Sequence, residues 1–174
     1  MKQTRKIQKM IYAAFFLALA FVLPFFTGQN KELGSMLCLM HLPVLLCGFL
    51  LGPLWGGVVG FTAPLLRSLT LTMPQMYPTA LCMAFELCAY GLVSGLVYRL
   101  LSQKRFRIFP SLLLAMLAGR LVWGTAMLIC IGINAFTFAS FWSSAVAGAI
   151  PGILLQLVLI PPLVKACERF SLKS

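Results

Sequence analysis

Three charged side chains stand inside long apolar stretches of this 174-residue chain: Arg67, Glu86 and Arg120. A charge at membrane depth costs a few kcal/mol on insertion scales, so such residues pair with one another or line a wet cavity. Arg67 and Glu86 fall near the same ends of neighbouring apolar runs, so one reading pairs them. Arg120, with Trp123 and Met127 at i+3 and i+7, then requires another counterpart, and a ligand anion or carbonyl supplies it. The alternative pairs Arg120 with Glu86 and lets Arg67 snorkel outward. The only histidine, His41, precedes Pro43 and follows Met36 and Met40. It reads either as a hydrogen-bonded helix histidine or as a substrate contact. One imidazole with thioethers suits copper(I) chemistry, but no second strong ligand is spaced for it, so no metal site is expected.

Catalysis needs more than these groups. The sequence has no H-E-x-x-H, no G-x-S-x-G and no phosphate-binding P-loop. The chain is therefore read as a non-enzyme that does not hydrolyse ATP itself. A small intramembrane enzyme using Glu86, His41 and Arg120 stands as one alternative, and a homo-oligomeric channel or structural membrane protein as another. Around the charges lie candidates for ligand contact. Met83 and Tyr90 share a helix face with Glu86, at i−3 and i+4. Tyr77, Trp123, Asn134, Phe138 and Trp142 cluster toward the same ends of their runs. Interface belts account for some of these aromatics, and a stacking pocket for others.

The elements that must position these residues follow from composition. The chain is 61% hydrophobic and 10% charged, with a mean hydropathy of +0.98. A soluble domain carries about 25% charged residues, so this chain lacks the polar groups to cover an apolar core with a wet surface. A bilayer removes that requirement. Six apolar runs, at about 10–27, 36–51, 54–72, 78–101, 110–133 and 138–164, predict one all-α membrane bundle of six helices spanning residues 1–174. The second run is short for a crossing. Pro24 predicts a kink near the end of the first helix. The segment after the first run, Thr27-Gly28-Gln29, is no small-residue cleavage site, so that run reads as a retained helix.

Net charge is +11, which in a soluble chain would suggest nucleic acid. Position says otherwise. Lys2, Arg5, Lys6 and Lys9 precede the first run; Arg99, Lys104, Arg105 and Arg107 surround one loop; Lys165, Arg169 and Lys173 close the chain. Six crossings put all three clusters, both termini and the Gly52-Pro53 turn on the cytoplasmic side. Only Lys31 remains in an outer loop. The six cysteines show no C-x-x-C pairing and read as small hydrophobes, with no disulfide framework and no zinc site.

The helix faces carry small residues four apart, which let helices approach closely: Ala14 and Ala18, Gly48 and Gly52, Gly56 and Gly60, Gly91 and Gly95, Gly148 and Gly152. The alanine pair, the polar loop 28–35, and the stretch Met40-His41-Leu42-Pro43-Val44-Leu45-Leu46-x-Gly48-x-x-x-Gly52-Pro53-x-x-Gly56-x-x-x-Gly60 resemble the substrate-binding S components of energy-coupling-factor (ECF) vitamin importers. The likeness extends over essentially the whole chain. It implies a bundle in the bacterial cell membrane that binds a water-soluble vitamin or precursor from outside. It implies docking, through Ala14 and Ala18, on a transmembrane T component coupled to two cytosolic ATPases. It implies a lid formed by the first loop, with Gly28, Gln29, Asn30 and Gly34. It makes Glu86, Tyr90, Arg120, Trp123, Asn134 and Trp142 candidate ligand contacts, joined by His41 and Arg67 at the outer ends of their helices. No cofactor is implied. Two intramembrane arginines lean toward a carboxylate-bearing vitamin such as pantothenate or folate, while Glu86 equally suits a cationic or amide-bearing ring. Met40-His41 resembles the metal-binding start of cobalt and nickel S components, but those use a free terminal amine, and here the pair is internal.

Overall fold

In the computed structural model, residues 2–27, 39–101, 107–132 and 150–171 are described. Everything regular among them is helical. Helix α1 spans Lys2–Val22 and runs into a 3-10 turn at Leu23–Thr27. Then come α2 (His41–Leu51), α3 (Pro53–Leu71), a π-type turn (Met76–Ala80), α4 (Leu81–Leu100), α5 (Ile108–Ile131) and α6 (Ile150–Ser171). Four stretches are long and apolar enough to cross a membrane: Lys6–Phe25, Pro53–Leu71, Met76–Leu100 and Ile108–Ile131. His41–Leu51 and Pro151–Cys167 are shorter apolar helices. The expected run starts at 36 and 138 lie outside the described residues.

Prolines and glycines set the boundaries. Pro24 has no N–H to donate and disfavours α geometry in the residue before it. The α-helix therefore stops at Val22 and tightens into the 3-10 turn. Pro53 occupies the first turn of α3, where a missing N–H costs nothing. Gly52 turns the chain between α2 and α3 with φ +104°, a conformation that favours glycine. Arg99 closes over this turn, its Nη2 donating to the Leu51 carbonyl at 3.2 Å, which satisfies one of the carbonyls that a helix end leaves open. Nearby, the Arg107 guanidinium lies 4.1 Å from the centre of the Tyr98 ring.

Helix α4 is the centre of the bundle and packs against α2, α3 and α5; α1 packs on α2 and α3, and α6 on α2 and α5. Its contacts fix the directions. Gly95 lies beside Pro53 and Gly91 beside Gly56, so α3 and α4 are antiparallel; Gly48 lies beside Gly91, so α2 and α4 are parallel. The approach is backbone to backbone. A Cβ on Gly91 would fall 2.2 Å from the Gly56 carbonyl carbon, one on Gly56 would fall 2.6 Å from the Gly48 Cα, and one on Gly60 would fall 2.2 Å from the Leu87 carbonyl oxygen. Leucine and lipid tails are equally apolar, so helices in a bilayer associate through such close packing rather than through hydrophobic exclusion. Gly91→Ala is therefore expected to separate α3 from α4 and to cost about 1–3 kcal/mol, the range for overpacking a filled interface. Thermal unfolding of detergent-purified protein checks it. A melting temperature equal to that of wild type, and of a Leu96→Ala control on the 52% exposed side of α4, would contradict the packing described.

Candidate functional site

Glu86 sits in the second turn of α4, 2% exposed. At 1.5 Å per residue it lies about 8 Å below the start of that helix. A carboxylate there requires a cation, and two other helices bring side chains to it. Arg120 of α5 places Nη1 3.2 Å from Glu86 Oε1. His41, the first residue of α2, places Nε2 3.7 Å from the same oxygen. One turn along α4, the buried Tyr90 ring meets the His41 ring edge to face, with centroids 5.1 Å apart and planes at 78°. The antiparallel α5 lies close to Tyr90 because Gly119 has no side chain; a Cβ there would sit 2.8 Å from the tyrosine ring.

The cluster has polar capacity to spare. Among the described residues, neither ring nitrogen of His41 has a hydrogen-bond partner, and Glu86 Oε1 has none in hydrogen-bond geometry despite its ion pair. Leaving a buried donor or acceptor unsatisfied costs about 1–3 kcal/mol per group. A molecule offering both a donor and an acceptor edge would relieve that cost. Nothing in the cluster forms a nucleophile–base pair, and no group of three or more His, Cys, Asp or Glu is gathered for a metal among the described residues.

Of the two pairings open from the sequence, the structure selects Arg120 with Glu86. Arg67 does not join them and does not snorkel outward. It is buried against α1, where Nη1 donates to the Phe21 carbonyl at 3.2 Å and the guanidinium stands 5.5 Å from the Phe25 ring centre. The reason is local: the last turn of α1 leaves carbonyls without helical donors, and a cation at a helix C-terminus is favourable. Trp123 is half-buried one turn from Arg120. Ala14 and Ala18 are exposed on α1. Tyr77 is 58% exposed, and its hydroxyl donates to the Cys130 carbonyl. Asn134, Trp142, Gly28, Gln29, Asn30 and Gly34 lie outside the described residues. Gly119 is the positioning residue that the sequence reading misses. Its signal was present: Ala115 and Gly119 are another small pair four apart, and Ala115 is fully buried.

A second concavity is of another kind. A groove of about 360 Å³ between α3 and α4 is lined by Leu54, Val58, Phe61, Thr62, Cys88 and Leu92. The Thr62 hydroxyl is turned back to the Val58 carbonyl at 2.8 Å, so the groove offers a ligand almost nothing polar. The polar cluster is therefore the candidate site, and this groove is not.

The model of the family described as ECF transporter, substrate-specific component, matches residues 8–164. The chain belongs to this family. That match begins within α1, ends within α6, and includes every member of the His41–Glu86–Tyr90–Arg120 cluster. No curated protein and no solved structure matches the chain. As a substrate-specific component of an ECF transporter, the chain is a membrane protein that binds a small-molecule substrate, and family membership implies association with a T component and ATPases.

Because one carboxylate oxygen holds Arg120, removing either partner leaves the other charge buried, which typically costs about 3–5 kcal/mol. Glu86→Ala and Arg120→Ala are each expected to destabilise the protein, and the double variant by less than their sum. A double-mutant cycle should return a coupling of about 0.5–3 kcal/mol. Additive losses in chemical denaturation would show that the 3.2 Å contact carries no coupling.

Proposed function

We propose that this substrate-specific component captures a water-soluble vitamin or vitamin precursor at the His41–Glu86–Tyr90–Arg120 cluster and hands it to the cytoplasm with an ATPase-driven T module. The observation that carries this reading is the pair of ring nitrogens on His41, 95% buried, without a hydrogen-bond partner among the described residues and beside a carboxylate paired with Arg120. Six crossings with both termini cytoplasmic put the cluster in the outer half of the bilayer. The basic clusters support that orientation: Arg99 and Arg107 lie at the bundle end opposite His41, as the positive-inside rule asks. The setting is the bacterial cell membrane, the role transport rather than catalysis.

The remaining site residues are assigned in the same frame. Trp123, Asn134 and Trp142 join the cluster as ligand contacts. Gly28, Gln29, Asn30 and Gly34 belong to the lid over it. Arg67 holds α1 and α3 together beneath that lid. The lean toward a carboxylate-bearing ligand such as pantothenate or folate rests on the two intramembrane arginines, Arg67 and Arg120. With Arg120 on Glu86 and Arg67 on the Phe21 carbonyl, the ligand that suits the cluster is one whose N–H meets Glu86 and whose acceptor meets His41 or Arg120. Ala14 and Ala18 form the T-component docking face. Their exposure on a helix flanked by Tyr12 and Phe15, 57% and 58% exposed, supports this role.

Detergent-purified protein, screened by thermal shift and native mass spectrometry against water-soluble vitamins and precursors, should show one hit. His41→Ala should weaken that hit at least tenfold, which corresponds to about 1.4 kcal/mol. Unchanged affinity would remove the cluster from the site. Ala14→Leu with Ala18→Leu should leave ligand affinity intact and abolish co-purification with the T component and ATPases. Retained co-purification would move the docking face elsewhere.

A further inference from the structure

The groove between α3 and α4 plays no part in the polar cluster, yet its two ends differ in a way that selects an occupant. Leu54, Val58 and Leu92 on its walls are exposed. Gly57 lines it too, and a Cβ there would fall 2.8 Å from Leu92 Cγ, so a side chain at that position would crowd the hollow. Toward one end, Phe61 meets Phe85 edge to face, with centroids 5.7 Å apart and planes at 71°. In a bilayer, a hydrocarbon chain fills such a hollow without stranding a polar group.

The other end is charged. Cys88, Leu92 and Arg99 stand at i, i+4 and i+11 of α4, which puts them on one face. Arg99 lies about 10 Å beyond Leu92 along the axis. Its guanidinium reaches the Gly52–Pro53 turn, donating to the Leu51 carbonyl at 3.2 Å, and Leu54 begins the groove wall directly after that turn. Arg99 is exposed, and this bond uses one of the five donors of a guanidinium, whose fork matches a phosphate. The charge around it is of one sign. Arg107 lies on Tyr98, Lys104 and Arg105 fall in the loop between, and no Asp or Glu occurs in α2, in α3, or between Glu86 and Glu168. The dipole of α3, which begins at Pro53, adds to that positive end.

We propose that this groove binds an anionic glycerophospholipid from the leaflet on the Arg99 side, with one acyl chain along Leu54, Val58, Phe61 and Leu92 and the phosphate on Arg99. An apolar hollow that ends at a basic fork calls for a molecule with an apolar tail and an anionic head. Leu54 to Phe61 is seven residues, so the groove takes about 10 Å of that chain, and the rest lies in the surrounding hydrocarbon. The lipid touches both α3 and α4, at the bundle end away from His41. The site stands apart from the vitamin reading: it requires only that the chain sit in a membrane, and it would hold a lipid whether or not the polar cluster holds a substrate.

The test uses the full chain in detergent, titrated with phosphatidylglycerol or with phosphatidylcholine of the same acyl chains, and read by native mass spectrometry. The expected result is one phosphatidylglycerol retained per chain, about fivefold more tightly than phosphatidylcholine, the gain that one basic residue gives near a membrane surface. Glycerol phosphate alone should not be retained, which separates the lipid from a free phosphate. Arg99→Gln should bring phosphatidylglycerol down to the level of phosphatidylcholine, while Lys9→Gln on α1 should not. Val58→Trp, which fills the groove, should weaken both lipids. If a variant fails to fold, phosphatidylglycerol with a photoactivatable acyl chain decides the matter on the wild-type chain, since it should label α3 between Leu54 and Thr62 or α4 between Cys88 and Leu92. Equal retention of the two lipids, an unchanged preference in Arg99→Gln, or labelling elsewhere would overturn the proposal. So would dimers in place of lipid adducts, which would give the groove to a second copy, or loss of the label in the assembled transporter, which would give it to the T component.

Discussion

A carboxylate buried in a bilayer has to be neutralised by something its own helix cannot supply. Glu86 is 2% exposed, and its counter-charge comes from α5 through Arg120 at 3.2 Å. The other titratable neighbour, His41 at 3.7 Å, comes from α2. This one oxygen therefore sets the rotation and register of three helices together. Turning α4 by one residue would carry Glu86 about 100° round the helix, away from both partners. Such buried pairs contribute less to net stability than to specifying one arrangement, because desolvation offsets much of the Coulomb gain.

That arrangement is reachable only because glycine removes the obstacles. Gly48, Gly56 and Gly91 bring the backbones of α2, α3 and α4 together, and Gly119 admits the Tyr90 ring against α5. A wider spacing would lengthen the Glu86–Arg120 and His41–Glu86 contacts, and charge–charge energy at low dielectric falls off steeply in absolute terms with distance. The small residues and the charged ones are thus one design. The glycines set how near the helices come, and the charges set which faces meet. At the opposite end the same logic appears in a weaker form, where Arg99 sits on the Leu51 carbonyl and Arg107 on Tyr98.

How much of this was legible in the sequence depends on whether a feature is local. Several helix boundaries were, because apolar runs and prolines act on their own segment: Pro24 ends α1, Pro53 starts α3, and the four-apart glycines of α2, α3 and α4 mark faces that do touch. The identity of Glu86's partner was not. Hydropathy gives the depth of a residue but not the rotation of its helix, and Arg67 and Arg120 stood at comparable claims. What decided it was a backbone group. The last turn of α1 offers the Phe21 carbonyl to Arg67, and no side-chain pattern announces a free carbonyl on a different helix. Gly119 was overlooked for the opposite reason, since its pattern with Ala115 is visible but its meaning depends on Tyr90, which lies 29 positions earlier.

The unsatisfied groups also bear on how a ligand would be held. In a rigid bundle, the cost of leaving His41 without hydrogen bonds from the described residues is already included in the stability of the fold. A ligand that fills those positions recovers about 1–3 kcal/mol per group without ordering new side chains. Two such groups are worth roughly one to four powers of ten in affinity. The Glu86–Arg120 pair contributes in another way. Its two charges offset each other, so the pair itself offers a charged ligand little to repay its desolvation. For a ligand held as proposed at this cluster, selectivity would rest on the match of donors and acceptors, since a misplaced N–H or carbonyl would leave His41 or Glu86 as unsatisfied as before.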